Sequence, residues 1–133
     1  MKSFDIKPSI AKKMLARASA AMANTYPKPN EGFAVCVLAK DGKMYDGVSY
    51  KSNTYTLTMH SEATALANAA IHGEKEIIAI TGPNCHICKQ LIWESSLQSD
   101  IDIQVVMKID GNIKIVPISE QMPYPWPDKN GEL

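Results

Sequence analysis

The feature that most constrains the fold of this chain is a pair of cysteines three residues apart, Cys85 and Cys88. If a helix begins at or just before Cys85, the two sulfurs lie on one face of its first turn. That turn carries the positive end of the helix dipole, which favours thiolates. The pair therefore predicts a helix start that presents two metal ligands.

His60 adds a third ligand type from another segment, and Glu62 lies two residues further on. Three protein ligands leave the fourth tetrahedral position free for water, which is typical of catalytic rather than structural zinc. Because residues two apart in a regular helix diverge by roughly 200°, His60 and Glu62 share a cavity only where a helix begins between them. We therefore predict one zinc ion per chain, held by His60, Cys85 and Cys88, with Glu62 as the catalytic acid and base.

Length and charge limit the function classes. The chain has 133 residues, the length of a single domain. Its fourteen basic and fourteen acidic residues cancel, whereas proteins that bind nucleic acid usually carry a basic patch. Three cysteines, two of them in a C-x-x-C motif, favour a reducing compartment over a disulfide framework. Since the sequence shows neither an apolar leader nor an apolar run of about 18 residues, we expect a cytoplasmic protein with no membrane or nucleic-acid partner.

Hydrophobic periodicity predicts alternating helices and strands. Helices are expected over 9–24, over 63–70 with Gly73 as the terminator, and from Cys85 onward. Strands are expected over 33–39, 43–49, 77–80, 103–109 and 113–118. The turn Asp110-Gly111-Asn112 is short enough to force antiparallel pairing of the last two strands.

The H-x-E motif at His60, followed by the C-x-x-C pair, resembles the signature of zinc nucleobase deaminases. The chain is similar to the small-nucleoside branch of the cytidine deaminase family, with blasticidin-type deaminases as close relatives. The resemblance covers about 33–126. It implies a zinc hydrolase that converts a cytosine-type nucleoside to the uracil-type product and ammonia.

The resemblance also implies the architecture. We expect a single cytidine-deaminase-like domain over 1–133, with an N-terminal lead at 1–8 and an aromatic, proline-rich tail at 122–133. The implied fold is α/β with three layers. A mixed five-stranded sheet carries helices on both faces, and the last two strands form an antiparallel hairpin.

Substrate contacts follow from the same resemblance. Phe33 is a core residue by default, but its place before the first strand matches the family's aromatic that packs against the pyrimidine. Ser49 and Lys51 stand where relatives carry Asn and Glu for the ribose hydroxyls, and the Ser61 backbone N–H is a further expected contact. Because Lys51 can only donate hydrogen bonds and is positively charged, it suits an anionic sugar substituent. Alternatively, Lys51 extends into solvent and plain cytidine binds weakly.

The tail raises the question of assembly. Tyr124 and Trp126 are either plain tail aromatics or, as in blasticidin-type deaminases, lids over a site. The family's habit of completing sites across subunits implies a homo-oligomer, with a tetramer favoured over a dimer.

Two other classes compete with a nucleoside deaminase: a non-catalytic redox or structural zinc module, and a deaminase of tRNA or polynucleotides. A redox C-x-x-C motif gives no role to His60 or Glu62, and a structural zinc module needs a fourth ligand from Cys36, His72 or His86. We interpret Cys36 as a small core residue in the middle of a strand. In the resembled superfamily, tRNA and polynucleotide deaminases place a helix between the last two strands, where this chain has a short turn.

One departure from the family pattern lies beside the predicted ligands. Asn84 stands directly before Cys85, where the family motif carries proline, and Pro83 comes one place early. The loop that leads into the cysteine helix is therefore expected to differ from that of relatives.

Overall fold

The structure, a computed structural model, describes residues 1–130. Its five strands are β1 Ala34–Ala39, β2 Met44–Val48, β3 Ile77–Thr81, β4 Gln104–Ile109 and β5 Asn112–Pro117. They form one sheet in the order β2-β1-β3-β4-β5. β3 and β4 are parallel, and the other neighbours are antiparallel. The predicted mixed five-stranded sheet is confirmed.

Three helices cover the sheet: α1 Pro8–Ala21, α2 Ser61–Ile71 and α3 His86–Ser99. The predicted first helix ends earlier than expected, at Ala21, and a 3-10 turn over Met22–Asn24 completes the segment. Further 3-10 turns lie at Tyr55–Leu57 and Ile118–Gln121. None of the helices in residues 1–130 has the length and hydropathy needed to cross a membrane.

Side chains of β1 alternate between two cores because successive residues of a strand point to opposite faces. Val35 and Val37 pack with α2 and α3 on one face. Cys36 and Leu38 pack with α1 on the other. Burial on both faces explains why β1 is an uninterrupted apolar run. The three-layer α/β architecture is thereby confirmed.

A glycine lets α2 approach the sheet closely. A Cβ atom added at Gly47, in β2, would overlap the backbone of Ser61 and Ala65. Thr64 Oγ1 also donates a 2.7 Å hydrogen bond to the carbonyl oxygen of Val48. These contacts fix the first turn of α2, which carries His60 and Glu62, over the edge of the sheet.

The last two strands form the predicted hairpin. Asp110 and Gly111 both have positive φ, at 51° and 79°, as a two-residue turn of the type I′ class requires. Ile109 pairs directly with Asn112. The turn therefore leaves no room for a helix between β4 and β5. The final three residues of the predicted tail, 131–133, lie outside the described residues.

Candidate active site

The start of α2 presents His60 and Glu62 together. His60 is extended, with φ −73° and ψ 153°, and the helix begins at Ser61. Glu62 lies in the first turn with only 6% of its surface exposed. The helix therefore begins between the two residues, as their spacing requires.

The start of α3 presents the two sulfurs. Cys85 is the N-cap residue, and its Sγ accepts a hydrogen bond from the Cys88 backbone N–H, with an N to Sγ distance of 3.5 Å. A thiolate at this position is stabilised both by that N–H and by the helix dipole. Cys85 is exposed to the cavity side and Cys88 is buried.

The two helix starts meet. His60 Nδ1 lies 3.2 Å from Cys88 Sγ and 3.5 Å from Cys85 Sγ, and the three ligand atoms all lie within 4.8 Å of one another. Bonds of about 2.0 Å to nitrogen and about 2.3 Å to sulfur around a tetrahedral zinc separate N from S by about 3.5 Å. The donor types and their spacing therefore fit one zinc ion.

Electrostatics at this group favour a cation. Burial raises the pKa of the Cys88 thiol, and the negative charge of Glu62 and the neighbouring Cys85 raise it further. Two sulfurs and a carboxylate this close repel one another when ionised. A divalent cation relieves that repulsion and holds coordinating thiols deprotonated.

The carboxylate of Glu62 is held at both oxygens. Ser61 Oγ donates to Oε1 at 2.9 Å, and Asn84 Nδ2 donates to Oε2 at 2.8 Å. Neither partner was predicted from the sequence as a neighbour of this carboxylate. Ser61 was chosen for its backbone N–H, and Asn84 stood out only as a departure from the family motif.

A cavity of about 750 Å³ opens beside the ligand group. Of the residues predicted for the site, those that line it are Phe33, Ser49, Lys51, His60, Ser61, Glu62 and Cys85. Phe33 is 75% exposed, so its interpretation as a core residue is wrong. Its backbone N–H donates to Ser49 Oγ at 3.1 Å, which joins two of the predicted substrate contacts.

Residues from two loops complete the cavity wall, including Lys28, Asn53 and Tyr55, which sequence reasoning missed. The rings of Tyr26 and Tyr50 stack at 4.0 Å between centroids and hold these loops together. No spacing rule relates irregular loops that are distant in sequence. The Pro-rich segment after α1 predicted a loop, but it did not predict that this loop lines the cavity.

The aromatic tail lies elsewhere in this chain. Tyr124 and Trp126 are exposed and are absent from the cavity lining. Instead the tail runs along α3, where Gln90 Nε2 donates to the Trp126 carbonyl oxygen at 2.6 Å and Trp93 Nε1 donates to that of Pro127 at 2.8 Å. Within one chain, the tail as far as residue 130 therefore does not line the cavity.

Among the described residues, no fourth metal-type ligand joins the group. Within residues 1–130, the metal-type cluster consists of the three predicted ligands, without Cys36, His72 or His86. Cys36 is buried between the sheet and α1, and burial raises its pKa to about 12. The prediction that Cys36 is a core residue is confirmed. Within the described part of the chain the group thus has three ligands, whereas a closed structural zinc site has four.

An α/β sheet that brings three such ligands and a buried carboxylate to two helix starts defines a zinc hydrolase with an open metal position. The sequence profile of the family described as "Cytidine and deoxycytidylate deaminase zinc-binding region" matches residues 8–102. The chain belongs to this cytidine deaminase family, whose members are zinc hydrolases that act on C–N bonds.

Individual relatives agree with this assignment. A cytidine deaminase of Halalkalibacterium halodurans is 29% identical over 96 residues, which are 65% of this chain and 70% of that protein. The crystal structure of cytidine deaminase from Burkholderia pseudomallei has a TM-score of 0.72 at 21% identity, over 86% of this chain and 98% of that one. That from Mycobacterium leprae has a TM-score of 0.72 at 18% identity, over 90% and 99%. The two structures share the fold.

Proposed function

We propose that this chain catalyses hydrolytic deamination of a cytosine-type nucleoside, with release of ammonia. The observation that carries the proposal is the position of Glu62. Its carboxylate is buried and held at both oxygens, it lies two residues from the ligand His60, and it lines a cavity of about 750 Å³. That volume lies within the usual range for sites that bind small molecules.

The proposed chemistry assigns each residue one task. Zinc, when bound by His60, Cys85 and Cys88, supplies a water acidic enough to lose its proton near pH 7. Glu62 accepts the two protons of that water in turn, passing the first to ring N3 as the water oxygen bonds to C4 and the second to the amine as the C4–N bond breaks and ammonia leaves. Phe33 offers a ring face at the cavity wall for the pyrimidine. Closure of the cavity by substrate would exclude bulk water from these transfers.

A direct test combines metal analysis with an ultraviolet assay of cytosine loss. Protein purified without added zinc is assayed against cytidine, deoxycytidine, their monophosphates and blasticidin S. We expect about one zinc per chain and turnover of at least one of these substrates. If the protein binds zinc but converts no substrate of the panel, the proposed function is wrong and a structural zinc module is favoured.

We further propose that the substrate carries an anionic group on its sugar. Lys28 and Lys51 both line the cavity, and the acidic residues of its lining are Glu31 and Glu62. Ser49 is short and already accepts from the Phe33 N–H, so it cannot replace a longer amide directly. Two cations at the wall suit a carboxylate, as in blasticidin S, or a phosphate.

Replacing Lys51 by Glu is expected to reverse this preference. Contacts between charged hydrogen-bonding partners typically contribute about 1.5–3 kcal/mol, so kcat/KM for the anionic substrate relative to cytidine should fall by about tenfold or more. Specificity constants for cytidine and cytidine monophosphate measure the ratio. Lys12→Glu, an exposed lysine on α1, makes the same charge change away from the cavity and should leave the ratio unaltered. If Lys51→Glu leaves it unaltered too, Lys51 points into solvent and has no part in recognition.

Self-association is also proposed, with a tetramer favoured over a dimer. Large apolar side chains of the cavity lining are exposed, at Phe33, Tyr55 and Met59. We propose that a neighbouring subunit covers them and that its tail, with Tyr124 and Trp126, completes the site. Sedimentation velocity at assay concentrations is expected to show an oligomer, whereas a fully active monomer would contradict the proposal.

The three cysteines are free thiols, which supports the proposal of a reducing, cytoplasmic setting.

A further inference from the structure

A buried amide side chain contacts the catalytic carboxylate from the loop before α3. Asn84 is 8% exposed, and its Nδ2 donates both to Glu62 Oε2 at 2.8 Å and to the Thr81 carbonyl oxygen at 3.1 Å. A carbonyl and a carboxylate can only accept hydrogen bonds. The amide must therefore present its NH2 group, and not its oxygen, to both partners.

This orientation leaves the other end of the amide unsatisfied. Asn84 Oδ1 is buried and, within residues 1–130, is the buried side-chain oxygen that lacks a hydrogen-bond partner. An unpaired buried acceptor is unfavourable, and an apolar residue of similar size would avoid the penalty. We therefore attribute the role of this side chain to its NH2 group, which links the last residue of β3, Thr81, to Glu62.

The second donor to the carboxylate comes from a different direction. Ser61 Oγ, at the start of α2, contacts Oε1 at 2.9 Å. The terminal torsion of a glutamate side chain is broad when unrestrained. Each oxygen of the Glu62 carboxylate accepts from a donor at a different helix start. The plane of the carboxylate is therefore held in a single orientation.

We propose that Asn84 is a positioning residue for the deamination, which with Ser61 holds the Glu62 carboxylate in the plane that proton transfer at the zinc site requires. This inference rests on the proposed function. Asn84 does not line the cavity, so it acts through Glu62 and not on the substrate. Because small displacements of a catalytic group can cost about 100-fold in rate, the contact is expected to affect turnover more than binding.

The first test is Asn84→Leu, which keeps the side-chain size and removes the donor. We expect kcat to fall by about 10- to 100-fold, with KM changed by less than about threefold, and with zinc content retained. Asn84→Asp, nearly isosteric, removes the donor and adds a negative charge beside Glu62, so its loss of kcat should be at least as large. Should the leucine variant fail to fold, the aspartate variant decides.

A matched control separates positioning from plain stability. Asn68 Nδ2 donates to the Asp46 carbonyl oxygen at 3.0 Å and ties α2 to β2 without touching Glu62. Asn68→Leu should lower the melting temperature and leave kcat near the wild-type value. Equal losses of kcat in the Asn68 and Asn84 variants would overturn the proposal, because both would then act through the fold.

Combination with Glu62→Ala makes the test specific. If Asn84 acts through Glu62, adding Asn84→Leu to Glu62→Ala should change the residual rate by less than about twofold. The effects of the two substitutions on the free energy of unfolding should also be non-additive. The same fold loss of kcat in both backgrounds, or additive unfolding energies, would overturn the inference. If the wild type deaminates nothing in the panel, the proposed function fails, and the unfolding cycle still decides whether Asn84 holds Glu62.

Discussion

Glu62→Gln is expected to lower kcat by about 10²- to 10⁴-fold, the usual contribution of general acid and base catalysis. The amide is nearly isosteric with the carboxylate but cannot carry a proton. Its oxygen can still accept from Asn84 Nδ2, and its NH2 group can donate to Ser61 Oγ, which is both donor and acceptor. The fold and the zinc site should therefore persist.

Steady-state kinetics with metal analysis measure this result. Glu94→Gln is a suitable control, since Glu94 lies exposed on α3 and accepts from Gln90 at 3.1 Å. It should retain wild-type kcat. Near-normal turnover by Glu62→Gln would move the acid and base role to another group, and loss of zinc in that variant would indicate a structural role for the carboxylate.

Cys88→Ala is expected to abolish zinc binding and, with it, activity. Cys88 is buried, its Sγ lies 3.2 Å from His60 Nδ1, and without it two ligands, His60 and Cys85, remain among residues 1–130. Two protein ligands are too few for a tightly held zinc. Zinc content after purification without added metal should fall from about one ion per chain to near zero, and the melting temperature should fall because bound metal stabilises the folded state.

The chain provides its own control for this variant. Cys36 is a buried thiol outside the ligand group. Cys36→Ala removes a sulfur of the same kind from the core beneath α1. It should lower stability somewhat by leaving a cavity, while zinc content and turnover persist. Full zinc occupancy in Cys88→Ala would contradict the ligand assignment.

The sequence by itself determined the parts of this protein that local chemistry specifies. The spacing of His60 and Glu62 required a helix to begin between them, and the structure starts α2 at Ser61. The spacing of Cys85 and Cys88 required one helix start, and Cys85 is the N-cap of α3. Apolar patterning and turn residues likewise predicted the strands and the final hairpin, because side-chain period and turn geometry act over a few neighbouring residues.

Only the tertiary structure decided which distant side chains meet. Phe33 is exposed at a cavity and not buried, the tail carbonyls bond to α3, and the Asn84 amide reaches Glu62 across 22 positions of sequence. These outcomes depend on where a loop lies against another element and on which donor has no closer partner. Hydrophobic periodicity carries no information on either, because it reports which face of an element is buried and not what that face contacts.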